Sequence, residues 1–337
     1  MSKTKLYKVL DIFIKITIIV VSYLIIYKEL FNNGNYRTAF DSFAEILRLP
    51  NTYLILIPVF FMMFINWGLE AFKWKKLVNK FEDISFVDSF KAILAGTTIS
   101  SVFPNRAGEF IGRVFVLKKE NIIKGSLVTF IGNISQLLIT VILGLISLFI
   151  FSLLYINFIK SLSIILIILL FLSIIGAVYL LLFLYFKIDF VEKIAKKLFK
   201  KRFPKQSKYF DVFRQYNTQE LLNILLVSLA RYLVFSVQFY LCFLLFGVKM
   251  NIFEGLMIIA VIYLIITVIP TVALSELGVR GSVSLFIFAY YLPHVGPFYE
   301  FMNISIVAAS AMIWLINLII PALAGSYFII KFKIVKK

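Results

Sequence analysis

The sequence predicts an all-α polytopic membrane protein. About six spanning helices and two re-entrant, broken-helix hairpins are expected, arranged as an inverted-topology repeat. Three observations predict this. Apolar residues make up 61% of the 337 residues and charged residues 15%, against roughly 45–50% and 25% in soluble domains. Several segments stay apolar for about 20 residues, the length that crosses a hydrocarbon core. The basic residues behind the formal net charge of +18 are sorted into alternate loops instead of being spread evenly.

The spans follow in order. The first is 9–27. Lys3, Lys5 and Lys8 precede it as in a signal peptide, but no small-residue cleavage site follows before Tyr27-Lys28-Glu29, so it is expected to remain as a span. Segments 51–72, 125–154, 162–186 and 221–246 are long enough without argument, and 301–330 is long but broken by Pro321. Three apolar stretches are too short to span: 92–103, 255–270 and 282–293. The first two each run into a proline and a short polar cluster. No linker or low-complexity stretch divides the chain, so 1–337 is read as a single integral membrane domain. The polar segment 187–220 is too short for an independent catalytic domain.

Basic residues give the orientation. The N-terminus, 73–91, 106–124, 187–214 and the C-terminus together hold 27 of the 35 Lys and Arg; the alternate loops hold five, Lys28, Arg37, Arg48, Lys160 and Lys249. By the positive-inside rule both termini are cytoplasmic. The positive balance is thus an orientation signal, and no nucleic-acid partner is expected. The lysine run over 193–208 is expected to lie against anionic lipid. Because 73–91 and 106–124 share a side, 92–103 should dip in and return; by the same logic 255–293 dips from the opposite face. Irregular backbone at membrane depth must be buried in protein or line a wet cavity, so the two dips should face each other. Their sequences are alike: Pro104 is followed by Glu109 and Arg113, and Pro270 by Glu276 and Arg280. Repeat halves of approximately 51–154 and 221–330 follow, the pattern of an inverted-repeat transporter.

These residues are also the candidate site. Glu109 with Arg113, and Glu276 with Arg280, stand four apart, on one helix face with the acid N-terminal. Helix starts after the breaks at Pro104 and Pro270 would offer free N–H groups to an anion, and Arg106, Arg113 and Arg280 add guanidinium groups suited to phosphate. Alternatively each Glu–Arg pair neutralises itself and staples a buried hairpin, or Glu109 and Glu276 carry protons. Arg231, roughly 15 Å into its span, is expected to pair with Glu109 or Glu276. Asn66, Glu70, Asn133, Gln136 and Gln238 are expected to hydrogen-bond between helices, Trp67 and Trp74 to anchor at the interface, and His294 to lie in a loop.

Several chemistries are disfavoured. One cysteine, Cys242, and one histidine exclude a disulfide framework and a His-cluster zinc site. The phosphate-binding pattern G-x-x-x-x-G-K-[ST] and the metalloprotease pattern H-E-x-x-H are both missing from the sequence, so no nucleotide hydrolysis, metal or cofactor is expected. No long acidic outer loop suits a glycosyltransferase.

At these residues the chain resembles the flippase-like membrane domain of lysylphosphatidylglycerol synthases. Pro104-Asn105-Arg106-Ala107-Gly108-Glu109 followed by Arg113 resembles that family's P-x-R-A-G-E-x-x-x-R. Ile269-Pro270 and Gly278-Val279-Arg280 resemble its I-P…G-x-G-x-R-E, with Gly281 standing where the family has Glu, so that Glu276 supplies the displaced carboxylate. Asn66-Trp67 and Lys73-Trp74 fit its second-span ending. The resemblance, covering about 8–330, implies translocation of a phospholipid or other phosphate-bearing lipid across an inner membrane. It does not imply synthesis, which in that family belongs to a soluble aminoacyltransferase domain not found before Lys337. The chain is therefore expected to be no enzyme. The alternatives are a membrane subunit working with a lipid-modifying enzyme (an aminoacyl-lipid synthase or a polyprenyl-phosphate glycosyltransferase) and a non-transporting scaffold.

Overall fold

The computed structural model describes residues 52–101, 103, 107–188, 190, 192–194, 196–197, 207–269, 275–294 and 299–331. The expected first span, Pro104, Arg106 and Pro270 lie outside the described residues. In chain order the helices are α1 (Tyr53–Val78), α2 (Phe86–Ser100), α3 (Gly108–Gly112), α4 (Ile122–Tyr155), α5 (Asn157–Lys160), α6 (Ile164–Phe186), α7 (Thr218–Leu245), α8 (Ile252–Val268), α9 (Ser275–Tyr291), α10 (Tyr299–Trp314) and α11 (Ile320–Lys331). Short 3-10 turns cover Arg113–Val116, Lys119–Asn121, Ser207–Gln215 and Leu292–His294. No strand occurs among the described residues, and the protein is an all-α polytopic membrane protein.

Among the described residues five helical runs are long and apolar enough to cross a membrane: Tyr53–Val78, Lys119–Tyr155, Ile164–Phe186, Thr218–Leu245 and Met302–Ile330. They coincide with five of the six expected spans. Local chemistry sets their ends. Asn217 opens α7 with a capping box, its side chain accepting from the Glu220 amide while Glu220 accepts from the Asn217 amide. Gly247 ends α7 at φ +79°, a conformation that costs glycine nothing; the amides of Gly247 and Val248 return to the carbonyls of Leu244 and Phe243, closing a Schellman turn. Pro321 does not break the last span. A π turn over Leu315–Ile319 precedes it, widening the helix where the proline ring would otherwise crowd the preceding turn.

The shorter helices fall below the length of a span. α2 has 15 residues and α8 has 17, or ~22 and ~25 Å at 1.5 Å per residue, below the ~30 Å of a bilayer core. Each is the first arm of a hairpin. In the first, α3 folds back on α2 so closely that a Cβ on Gly112 would lie 2.4 Å from Gly96 Cα. The loops flanking this hairpin meet: Glu82, after α1, accepts from the Lys118 amide at 3.0 Å and from Asn121 Nδ2 at 2.7 Å, just before α4. In the second, Glu254 in the first turn of α8 accepts from Tyr291 at the end of α9, at 2.9 Å, and from Tyr155 at the end of α4, at 3.0 Å. One hairpin therefore opens beside the start of α4 and the other beside its end. The 282–293 stretch, expected to be weak, lies largely within α9.

The hairpins pack reciprocally on the long helices. A Cβ on Gly325 of α11 would lie 2.0 Å from the Leu94 carbonyl oxygen and 2.4 Å from Thr98 Oγ1 in α2. A Cβ on Gly144 of α4 would lie 3.2 Å from the Ala260 carbonyl oxygen and 2.6 Å from Leu264 Cβ in α8. Leu94 and Thr98 stand 9 and 13 residues beyond Ser85, which caps α2; Ala260 and Leu264 stand 9 and 13 beyond Asn251, which caps α8.

Candidate functional site

The candidate site grows from one face of α1. Asn66, Glu70 and Lys73 recur at helical spacing and are all buried, so three polar side chains point into the bundle. The α2–α3 hairpin brings Arg113 to this face. Gly96 and Gly112 make that possible, since a Cβ on Gly96 would come within 3.1 Å of Arg113 Cγ.

Glu70 is the centre. Its carboxylate lies 2.8 Å from Lys73 Nζ, 2.8 Å from Arg113 Nη1 and 3.4 Å from Arg231 Nη1. Arg113 also reaches Glu109, Nη2 to Oε2, at 2.5 Å. Lys73 donates to the Gly132 carbonyl at 3.1 Å and to Ser228 Oγ at 3.4 Å, and Ser228 shares a 2.8 Å bond with Ser135. Arg231 donates to Gln136 at 3.2 Å and lies over the Trp67 ring. Among the described residues three cations face two carboxylates, an excess of one positive charge. In a low-dielectric interior such ions persist only when paired, and each of these is ion-paired, although Arg113 Nε finds no hydrogen-bond partner among the described residues.

Beside it runs a neutral network. Asn66 donates to Asn317 at 3.0 Å, Asn317 to Gln238 at 2.8 Å, and Gln238 to the Val59 carbonyl at 2.7 Å. It ties α1, α7 and the π turn together. The second hairpin's pair lies along α7. Arg280 Nη2 meets Glu276 Oε1 at 2.6 Å, and the guanidinium lies 5.9 Å from the Phe235 ring, 6.0 Å from Phe239 and 5.8 Å from Tyr263. Phe235 stands four residues beyond Arg231, one turn along α7, so that helix touches Arg280 directly and is linked to Arg113 through Glu70.

Several expectations need correction. Arg231 pairs with Glu70, not with Glu109 or Glu276, because Glu70 faces α7 directly. Lys73 is not a loop cation; it is 1% exposed, held by Glu70 three residues before it. Trp67 and Trp74 are no interface anchors. Both are buried, and Trp74 Nε1 donates to Thr129 at 3.0 Å. Both Glu–Arg pairs form at four-residue spacing as expected. α3, however, is only five residues long, too short to carry much of the dipole expected at its start. Gln136 and Gln238 bond between helices as expected, whereas Asn133 is half-buried. His294 closes a 3-10 turn.

Sequence reasoning missed Asn317 and the three rings around Arg280. It also ranked Glu70 below the hairpin arginines, although the Glu70–Lys73 spacing on an apolar helix was a visible signal. With this geometry in place, a family model described as the lysylphosphatidylglycerol synthase TM region matches residues 12–325. No curated protein and no solved structure matches the chain.

Proposed function

The chain belongs to the lysylphosphatidylglycerol synthase TM region family, and from that premise we propose that it is a translocase of a phospholipid or another phosphate-bearing lipid, acting in a bacterial-type inner membrane and not itself an enzyme. The observation that carries this reading is the buried cluster of Glu70, Lys73, Glu109, Arg113 and Arg231 with its excess positive charge. Ionisable residues within membrane helices are costly and mark pathways for polar cargo. Arg113, Arg231 and Arg280, with Arg106 from the sequence, supply countercharge for a headgroup; Glu109 and Glu276 hold the arginines.

The two hairpins opening beside opposite ends of α4 support an inverted repeat of halves 51–154 and 221–330. So do the matched glycine contacts 9 and 13 residues beyond the caps. On this reading both hairpins are re-entrant, both termini are cytoplasmic, and one site is exposed alternately to each side.

Reconstitution in liposomes with fluorescent phosphatidylglycerol and leaflet-selective quenching tests it. The electroneutral doubles Glu109→Gln with Arg113→Gln, and Glu276→Gln with Arg280→Gln, leave no unpaired carboxylate behind. At least one is expected to slow translocation tenfold or more while staying folded. Wild-type rates in both would end the lipid-phosphate reading. The family's description favours a second reading, a membrane subunit of a lipid-modifying enzyme. In that case the purified chain alone would move no lipid.

A further inference from the structure

The two hairpin arginines stand in matched frames but in unlike company. Thr52 caps α1 and Asn217 caps α7; Glu70 and Phe235 each lie 18 residues beyond their cap. Arg113 lies 28 residues beyond the cap of α2, Ser85, and Arg280 lies 29 beyond the cap of α8, Asn251. In the first frame α1 presents Glu70 to Arg113, whose two terminal nitrogens then hold two carboxylates, Glu70 and Glu109. In the second frame α7 presents Phe235 to Arg280 where the carboxylate would be.

The consequence is visible in the hydrogen bonding. Arg280 is 4% exposed, and Glu276 takes Nη2. Nε and Nη1 are buried with no hydrogen-bond partner among the described residues. Phe235, Phe239 and Tyr263 lie around the guanidinium and exclude water, but they accept no hydrogen bond in its plane. A charged donor left unsatisfied in such surroundings is expensive, and an anion placed there would be bound strongly, because the low dielectric that penalises the orphan rewards its partner.

We propose that the phosphate of a lipid headgroup takes, beside Arg280, the place that Glu70 holds beside Arg113. This rests on the lipid-phosphate reading above and narrows it: Arg280 is the cation that receives the headgroup, and Arg113 is a strut closed by its own carboxylates. A phosphodiester carries two non-bridging oxygens, enough acceptors for the two remaining donors. Phe235 in place of a carboxylate is what leaves the two donors unmet.

Filling the seat tests the idea. Binding is read as the thermal shift of the full chain in detergent on adding phosphatidylglycerol, diacylglycerol or inorganic phosphate. Wild type should be stabilised by phosphatidylglycerol alone. An equal shift with inorganic phosphate would overturn the lipid assignment in favour of a free anion. Phe235→Glu supplies a tethered carboxylate and should weaken the phosphatidylglycerol response at least tenfold. Phe235→Gln has the same shape without the charge and should lose less than threefold; equal losses in the two would overturn the charge argument. Should Phe235→Glu not fold, the Glu276→Gln with Arg280→Gln double decides. It should lose the response at least tenfold, and a full response in it overturns the assignment to Arg280 alone. A wild-type chain that responds to no phosphate lipid would instead refute the lipid-phosphate reading itself.

Discussion

Neutralising Glu70 is the most telling perturbation of the buried cluster. Its carboxylate makes two contacts of 2.8 Å and one of 3.4 Å to cations. At an effective dielectric of ~20, these carry ~6, ~6 and ~5 kcal/mol of Coulomb attraction. Dehydration of the ions and repulsion among the three cations offset most of that. Removing one partner of a buried pair still costs about 3–5 kcal/mol, because the other stays buried and unpaired. Glu70→Gln leaves Lys73, Arg113 and Arg231 facing Glu109 alone, raising the excess from one positive charge to two. It is expected to cost about 3–5 kcal/mol.

Lys73→Met removes an excess cation and should cost less than half of that. Combining the two substitutions restores an excess of one and should recover most of the loss. The assay is denaturant unfolding in detergent followed by tryptophan fluorescence, for which buried Trp67 and Trp74 flank the cluster. A Glu70→Gln protein within the ~0.5 kcal/mol of an ordinary surface substitution would refute the account. So would a double variant no more stable than the Glu70→Gln single.

Two further outcomes are expected. Gly325→Ala drives a Cβ to within 2.0 Å of the Leu94 backbone oxygen, whereas Gly144→Ala meets the Leu264 side chain at 2.6 Å. Both should cost stability, about 1–3 kcal/mol as in other overpacked sites, Gly325→Ala more because backbone yields less than a side chain; an unchanged melting temperature would show that the interface is loose. In a Cys242→Ser background, single cysteines at Lys119 and Lys249 should react unequally with an impermeant thiol reagent on intact cells. Only position 249 should label, and labelling at 119 would make the first hairpin a true crossing.

The spans were legible because they depend on apolar length, a property each segment carries by itself. Five of them appear where the hydropathy put them, and the hairpins showed in the proline breaks and the paired Glu–Arg spacing. Burial of cations was not legible in the same way. Counting Lys73 with the loop residues follows from the positive-inside rule, which takes a basic residue near a span end as solvated. Here a carboxylate three residues earlier turns the same lysine inward. Trp67 and Trp74 fail for the matching reason: an aromatic near a span end suits an interface and a core equally, and Thr129 on α4 decides. Arg231 had several candidate acids at membrane depth, and only the packing of α1 on α7 selects Glu70. Asn317 carried no signal until the π turn aimed it at Gln238.

The difference between the two arginines lies outside the motifs that resemble each other. Arg113 and Arg280 share their spacing to a glutamate, and what separates them sits on α1 and α7, at positions that correspond only when counted from the helix caps. That separation has a mechanical consequence. A ligand shifts a conformational equilibrium only by as much as it prefers one state to the other. On the proposed lipid-phosphate reading, a guanidinium whose two terminal nitrogens already hold carboxylates, as at Arg113, gains less from a headgroup and chiefly holds its hairpin in place. A guanidinium with two donors unmet, as at Arg280, gains most in whichever state lets the phosphate reach it. An inverted repeat with identical halves would hold cargo equally well in both orientations. On the proposed lipid-phosphate reading, a phenyl ring in place of one carboxylate makes one half the frame and the other the seat, so that cargo binding drives the exchange between states.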